Sequence, residues 1–213
     1  MAVRRRSAVE RPAGALLGVL WLLGVSAGLA VLLDYERSSG IAATPPARWP
    51  ADSHIDRVPG RPTLLLFVHP QCPCSRASIE ELDRVMAEAE GRVTAHVLFL
   101  KPSGVAEDWV QTTLWRSAGA IRGVSIADDD DGLEARRFGS ATSGQAILYD
   151  SAGQLLFSGG ITATRGHTGD NLGRTTIVVL LTEGSATRRE TPVFGCSLLD
   201  PRSSERGWRT DGL

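Results

Sequence analysis

Thr63-Leu64-Leu65-Leu66-Phe67-Val68-His69-Pro70-Gln71-Cys72-Pro73-Cys74-Ser75-Arg76-Ala77-Ser78-Ile79 is the stretch from which the rest of the chain can be read. Its first six residues form a short, unbroken apolar run, the mark of a central strand buried on both faces. Its last residues open a segment in which Ile79, Leu82, Val85, Met86 and Ala89 recur at helical spacing, with Glu80, Glu81, Asp83, Arg84 and Glu88 mostly off that face. Between strand and helix stand two cysteines separated by one proline. A helix N-terminus favours thiolate through its free N–H groups and its dipole. Two thiols at such a turn suit disulfide exchange or a soft metal better than ordinary packing.

The chain has 213 residues, 42% hydrophobic content and a formal net charge of −1. That composition fits one folded domain with added segments and gives no electrostatic basis for binding nucleic acid. Three cysteines are too few for a disulfide scaffold. Arg4, Arg5, Arg6 and Arg11 precede Ala13 to Leu33, which contains no charged residue and meets the ~20 residues a helix needs to cross a hydrocarbon core. The expectation is a basic cytoplasmic tail over 1–12, a transmembrane anchor over 13–33 and a globular part outside the cytoplasm. Val25-Ser26-Ala27 keeps a cleaved signal peptide as the rival reading. Either way the bulk lies in an oxidising space.

Residues 34–60, rich in Pro, Ala, Ser and charge, are expected as a linker. The domain is expected over 61–182. A strand at 63–68 is followed by a helix from Ser75 to Ala89, with Ser78 and Glu81 as a capping box and Gly91 closing it. A second strand covers Val93 to Leu100 and a helix Trp109 to Ala118. Then come a short strand from Val124 to Ala127, an acidic turn at Asp128 to Asp131 and a short helix from Gly132 to Phe138. A hairpin pairs Gln145–Tyr149 with Gln154–Ser158 around Asp150-Ser151-Ala152-Gly153. The last helix covers Asn171 to Leu181, with Asp170 or Asn171 as its cap. The fold class is α/β, a mixed sheet flanked by helices. Residues 183–213 are a mostly polar extension whose apolar island, 192–199, docks onto the domain.

This order resembles the thioredoxin-fold superfamily, and in particular the TlpA/ResA-like membrane-anchored thiol-disulfide proteins. The likeness is carried by Phe67 to Cys72, Asp130-Asp131-Gly132, Phe138-Gly139, Ala146 to Tyr149, Asp150 to Gly153 and Leu155 to Ser158. It covers about Arg61 to Leu181. Cys-Pro-Cys together with Gly166-His167-Thr168-Gly169-Asp170-Asn171 also resembles bacterial proteins labelled RedB, a label without a mechanism. The resemblance implies a thioredoxin-like sheet and exchange with protein thiols or disulfides, without a cofactor. Two positions depart from it. The family's second cysteine falls where this chain has Ser75, and its cis-proline where this chain has Gly144.

Cys72 matches the family's first cysteine and is the expected attacking thiol. Either Cys74 or Cys196 is the candidate resolving thiol; a tight Cys72–Cys74 ring would be strained and oxidising. His69 can stabilise thiolate, shuttle a proton or bind metal. Pro73, Ser143 and Gly144 are the candidate substrate-binding residues. The principal alternative is a copper carrier resembling Sco-type chaperones, with Cys72, Cys74, Cys196 and His69 or His167 as ligands. A thiol peroxidase and a purely interacting domain rank lower, the former because His69 stands where peroxiredoxins place Thr. The acidic run lacks the alternating ligands of a calcium loop.

Overall fold

The computed structural model describes residues 10–41 and 44–198, with side chains from Gly14 onward. The chain divides into two compact units, one ending at Ser38 and one beginning at Ser39. The first holds a single helix, α1 (Glu10–Arg37). Its stretch Gly14–Arg37 is long and apolar enough to span a membrane, with mean hydropathy 2.4. The expected basic tail falls outside the residues whose side chains are described.

The second unit runs β1 (Thr63–Val68), α2 (Ser75–Glu88), β2 (Thr94–Lys101), α3 (Glu107–Val110), α4 (Thr113–Gly119), β3 (Val124–Asp130), α5 (Leu133–Arg137), β4 (Gln145–Tyr149), β5 (Leu155–Gly160) and α6 (Leu172–Glu183). The five strands lie in the order β3-β2-β1-β4-β5. β1, β2 and β3 are parallel; β4 runs antiparallel to β1 and forms a hairpin with β5.

β1 is central, and every residue in it is buried. Leu64, Leu66 and Val68 pack on one face with Leu82 and Val85 of α2 and Ile177 of α6. Leu65 and Phe67 pack on the other with Ile147, Tyr149 and Phe138. A strand covered on both faces cannot alternate apolar and polar residues, which is why the sequence shows a continuous run. Truncating one of these leucines to alanine would cost about 2–5 kcal/mol.

Three local expectations need correction. The segment 107–119 is two short helices rather than one, because Thr112 is extended (φ −74°, ψ −176°). Asp128 to Asp130 belong to β3 rather than to a turn. Asp129 is buried and its carboxylate accepts N–H bonds from Glu134 (2.7 Å) and Ala135 (3.0 Å), capping α5. There is no capping box at Ser78 and Glu81. Both are buried inside α2, and Glu81 turns instead to Arg174 of α6 at 3.2 Å.

Part of the expected linker packs on the domain. Trp49 donates its N–H to Gly153 O (2.8 Å), and Leu155 N–H reaches Ala47 O (3.0 Å). The Trp49 ring lies edge-on to Phe138 and Tyr149, at 4.8 and 5.3 Å. At the other end, Val193 and Leu198 are buried, so the island docks at least as far as residue 198; Leu199 lies outside the described residues.

Candidate active site

β1 ends at Val68, and the chain makes a turn before α2. Cys72 N–H bonds His69 O (3.0 Å), and Ser75 N–H bonds Cys72 O (3.1 Å). Cys74 occupies the N-cap of α2. Pro73 is exposed at the tip, while Cys72 is only 1% exposed. The Cys72 sulfur is surrounded by donors. The Cys196 thiol holds it most strongly; the Cys196 backbone N–H, the Ser75 hydroxyl and the Cys74 backbone N–H add to it. Together they outweigh burial and pull the Cys72 thiol down from 9.0 to about 5. A sulfur that accepts several hydrogen bonds as an anion is a thiolate at neutral pH.

Cys196 arrives from the far end of the chain because the C-terminal segment forms a short antiparallel bridge beside β4. Thr142 pairs with Ser197. Ser143 N–H donates to Cys196 O (2.8 Å), and Leu198 N–H donates to Ala141 O (2.9 Å). Gly195 makes this possible. A Cβ there would lie 1.8 Å from the Ser143 carbonyl oxygen, so only glycine lets the two backbones approach.

Charge is shared unequally among the three thiols. The hydrogen bond to Cys72, then burial, then the negative charges of Cys72 and Cys74 push Cys196 well above its ordinary range. Burial, then the Cys72 charge, push Cys74 up as well. Arg165 opposes both shifts and also donates to Gly195 O at 2.7 Å. Its loop is anchored by buried Glu81, which accepts from Gly169 N–H (2.8 Å) and Asn171 Nδ2 (3.1 Å) and pairs with Arg84 and Arg174. Asn171 caps α6, as expected, by accepting from Arg174 N–H. The sequence drew attention to His167 in this loop, but Arg165 is the residue that faces the thiols. His167 is exposed, with Nδ1 against Thr164 Oγ1 (3.1 Å) and Arg165 O (2.8 Å).

The His69 ring stacks edge-on to Trp109 at 5.6 Å, and its Nδ1 accepts from Gln71 N–H. Burial lowers its pKa, with the Cys72 charge opposing, so the ring is neutral at pH 7. Its backbone N–H donates to Ser143 Oγ (2.8 Å), which lies 2.8 Å from Ser75 Oγ. Gly144 N–H bonds Phe67 O (2.7 Å), tying the start of β4 to the end of β1. Gly144 has φ +90°, and a Cβ there would meet Ser78 Oγ at 2.7 Å. A surface cleft of about 520 Å³ lined by His54, His96, Asp128 and Glu134 does not include the cysteines. Among the described residues, no group of three His, Cys, Asp or Glu side chains is arranged to hold a metal ion.

No family model and no curated protein matches this sequence. Solved structures do. An uncharacterized conserved protein from Geobacillus kaustophilus aligns with TM-score 0.53 at 18% identity, over 76% of this chain and 92% of that one. A hypothetical protein from Sinorhizobium meliloti gives 0.52 at 19%, over 66% and 80%. A secreted disulfide oxidoreductase from Mycobacterium tuberculosis gives 0.41 at 17%, over 59% and 83%. At these identities the first two likenesses speak for the fold alone. Strand order, strand directions and the helix that follows β1 agree with it. By its sheet order, strand directions and flanking helices the domain has a thioredoxin-like fold. Ser75 lies three residues after Cys72 and carries a hydroxyl rather than a thiol, and Gly144 lies just before β4. Among the described residues there is no cis peptide bond. The thiol facing Cys72 comes instead from the C-terminal segment, at Cys196.

Proposed function

We propose that the chain is a membrane-anchored thiol-disulfide oxidoreductase of the TlpA/ResA-like kind, working outside the cytoplasm on protein thiols and disulfides. Cys72 is its attacking thiolate and Cys196 its resolving thiol. The observation that carries this reading is the contact between the buried, low-pKa Cys72 and the Cys196 thiol. The apolar helix α1 and the basic residues before it support the anchor and its orientation.

Cys72 Sγ attacks one sulfur of a substrate disulfide. A bond forms between them, the substrate S–S bond breaks, and the second substrate sulfur leaves as a thiolate that takes a proton from water. Capping Cys72 removes the charge and the hydrogen bond that held the Cys196 proton. Arg165 remains and favours the Cys196 thiolate. The Cys196 proton goes to water, and the thiolate attacks the Cys72 sulfur, forms Cys72–Cys196 and expels the first substrate sulfur as a thiolate. The substrate gains the two electrons the cysteine pair loses, and a dithiol partner resets the pair. In reverse, the same steps oxidise a substrate dithiol. Cys196 is therefore inert until Cys72 has reacted, so the resolving step follows the attack.

The second reading is a Sco-like copper carrier holding Cu(I) between thiolates, and the lack of any metal-holding group of three such side chains among the described residues counts against it. The exposed position of His167 and its bonds to Thr164 and Arg165 count against the ligand set expected from the sequence. A redox titration of the full chain in detergent micelles against graded glutathione, with mass mapping of linked cysteines, separates the readings. A reversible Cys72–Cys196 disulfide is expected. A Cys72–Cys74 disulfide would overturn the role given to Cys196. Thiols that stay free throughout would sink exchange altogether, and Cu(I) competition with a chromophoric chelator would then test the carrier.

A further inference from the structure

We infer that Ser143 is a positioning residue for the Cys72 thiolate, acting through the hydroxyl of Ser75. The inference rests on Cys72 being the reactive thiol. It starts from the hydrogen inventory of two buried serines. Ser75 and Ser143 are each 1% exposed, and their hydroxyl oxygens lie 2.8 Å apart. Ser143 Oγ also faces the backbone N–H of His69 at 2.8 Å.

A backbone N–H can only donate, and a hydroxyl has one proton and two lone pairs. His69 N–H therefore takes one Ser143 lone pair. The bond between the hydroxyls can run either way, and the state of Cys72 decides which. A thiolate accepts only, and the Ser75 hydroxyl is one of the groups that favours it, so in that state the Ser75 proton is turned to Cys72. Ser75 Oγ is then free to accept, and Ser143 donates to it. The result is a chain of one sense: His69 N–H to Ser143, Ser143 O–H to Ser75, Ser75 O–H to Cys72 Sγ. Each bond polarises the next, and buried chains gain from this. When Cys72 carries a proton, its S–H can donate to Ser75 and Ser75 to Ser143, so these two bonds reverse while the His69 N–H bond stays. Only hydroxyl rotations are needed, and the proton lost by Cys72 goes to water.

Ser143 also holds the other side of the site, since its backbone N–H bonds Cys196 O. Changing its side chain leaves that bond available, so the hydroxyl can be tested by itself. Ser75 occupies the place of a second thiol in the family pattern and here supplies a donor. Ser143 sets which way that donor points.

The test uses the reduced full chain in detergent micelles. Iodoacetamide alkylation of Cys72 is followed by peptide mapping across pH, so that Cys74 and Cys196 are counted separately. Ser75→Ala should lower the thiolate-to-thiol ratio of Cys72 at a given pH by about tenfold or more, the weight of one hydrogen bond to a charged group. Ser143→Ala should lower it by roughly two- to fivefold, because Ser75 keeps its proton but loses the bond that aims it. The double variant should match Ser75→Ala alone, and Ser143→Thr, which keeps the hydroxyl, should keep the wild-type midpoint. An unchanged midpoint in Ser143→Ala overturns the inference. So does an undiminished effect of Ser143→Ala in the Ser75→Ala background, which would mean it acts by loosening the fold. If Ser143→Ala does not fold, Ser143→Thr decides, a folded protein with a shifted midpoint refuting the role. Alkylation needs no disulfide exchange, so this result is independent of the redox titration.

Discussion

Replacing Cys196 by alanine should shift the pH profile of Cys72 and, at neutral pH, make Cys72 react faster. The Cys196 thiol is the strongest of the donors that hold the Cys72 sulfur near pKa 5. A hydrogen bond to a charged group contributes about 1.5–3 kcal/mol, or ~1–2 pKa units. The Cys196 backbone N–H, Ser75 and the Cys74 N–H remain in the variant, so the midpoint should stop between about 6 and 7 rather than return to 9.0. At pH 7 half or more of the thiol is still ionised. Nucleophilicity rises with thiol basicity, with a Brønsted slope of about 0.4–0.5, so the plateau rate should rise about 2.5- to tenfold. At pH 5 the loss of thiolate dominates and the rate falls, so the two profiles cross. The assay is Cys72 alkylation by iodoacetamide, mapped by mass, from about pH 4 to 10. Extra exposure would multiply the rate at every pH and leave the midpoint in place, so the midpoint is the decisive quantity. Cys196→Ser, which keeps a donor, should stay near wild type. An alanine variant with a wild-type midpoint would refute the idea that Cys196 stabilises the thiolate.

Three further outcomes are expected. Gly195→Ala places a Cβ 1.8 Å from Ser143 O; the segment must withdraw, the Cys72 midpoint should rise as in Cys196→Ala, and amide exchange at Ser143 should accelerate, with unchanged exchange counting against the bridge. Glu81→Ala removes a fully buried carboxylate from Arg84, Arg174, Gly169 N–H and Asn171; urea unfolding should report a loss of about 3 kcal/mol, and a loss below about 1 kcal/mol would make the network incidental. Stability should rise with pH from about 5 towards 9, because over that window the unfolded chain still holds the Cys72 proton that the folded chain has released. The raised Cys196 pKa works the other way, with stability present below 9.0 and lost above it, so the curve should turn over there; denaturation of Cys72→Ala, which lacks the rising limb, checks the assignment.

What the sequence made legible is what neighbours in the chain decide. The run Thr63 to Val68, the spacing of Ile79, Leu82 and Val85, and the turn at Asp150 to Gly153 each declare themselves within a few residues. β4 was placed to the residue, and Asn171 is the helix cap. The misreadings come from partners far along the chain. Glu81 read as a capping residue because nothing near it hints at Arg174. The acidic end of β3 read as a turn because the demand of α5 for a cap at Asp129 is invisible in the strand itself. Thr112 divides a segment whose spacing alone suits one helix. At the site, Cys72 and Cys74 were plain from their position after an apolar strand. The sequence leaves Cys196 as one of two candidate resolving thiols, and what brings it in is a backbone bridge that only Gly195 permits. Arg165 carried no signal beside its more conspicuous neighbour His167.

The bridge at Cys196 also sets an order of events at birth. Cys72, the turn and the helix behind it are made well before Cys196, and until the last segment pairs with Ala141 to Ser143 the sulfur lacks its strongest donor. A growing chain therefore presents Cys72 as a more nearly ordinary thiol. On the proposed reading, the thiol reaches its full acidity only after the segment that carries Cys196 has been made and has paired beside β4.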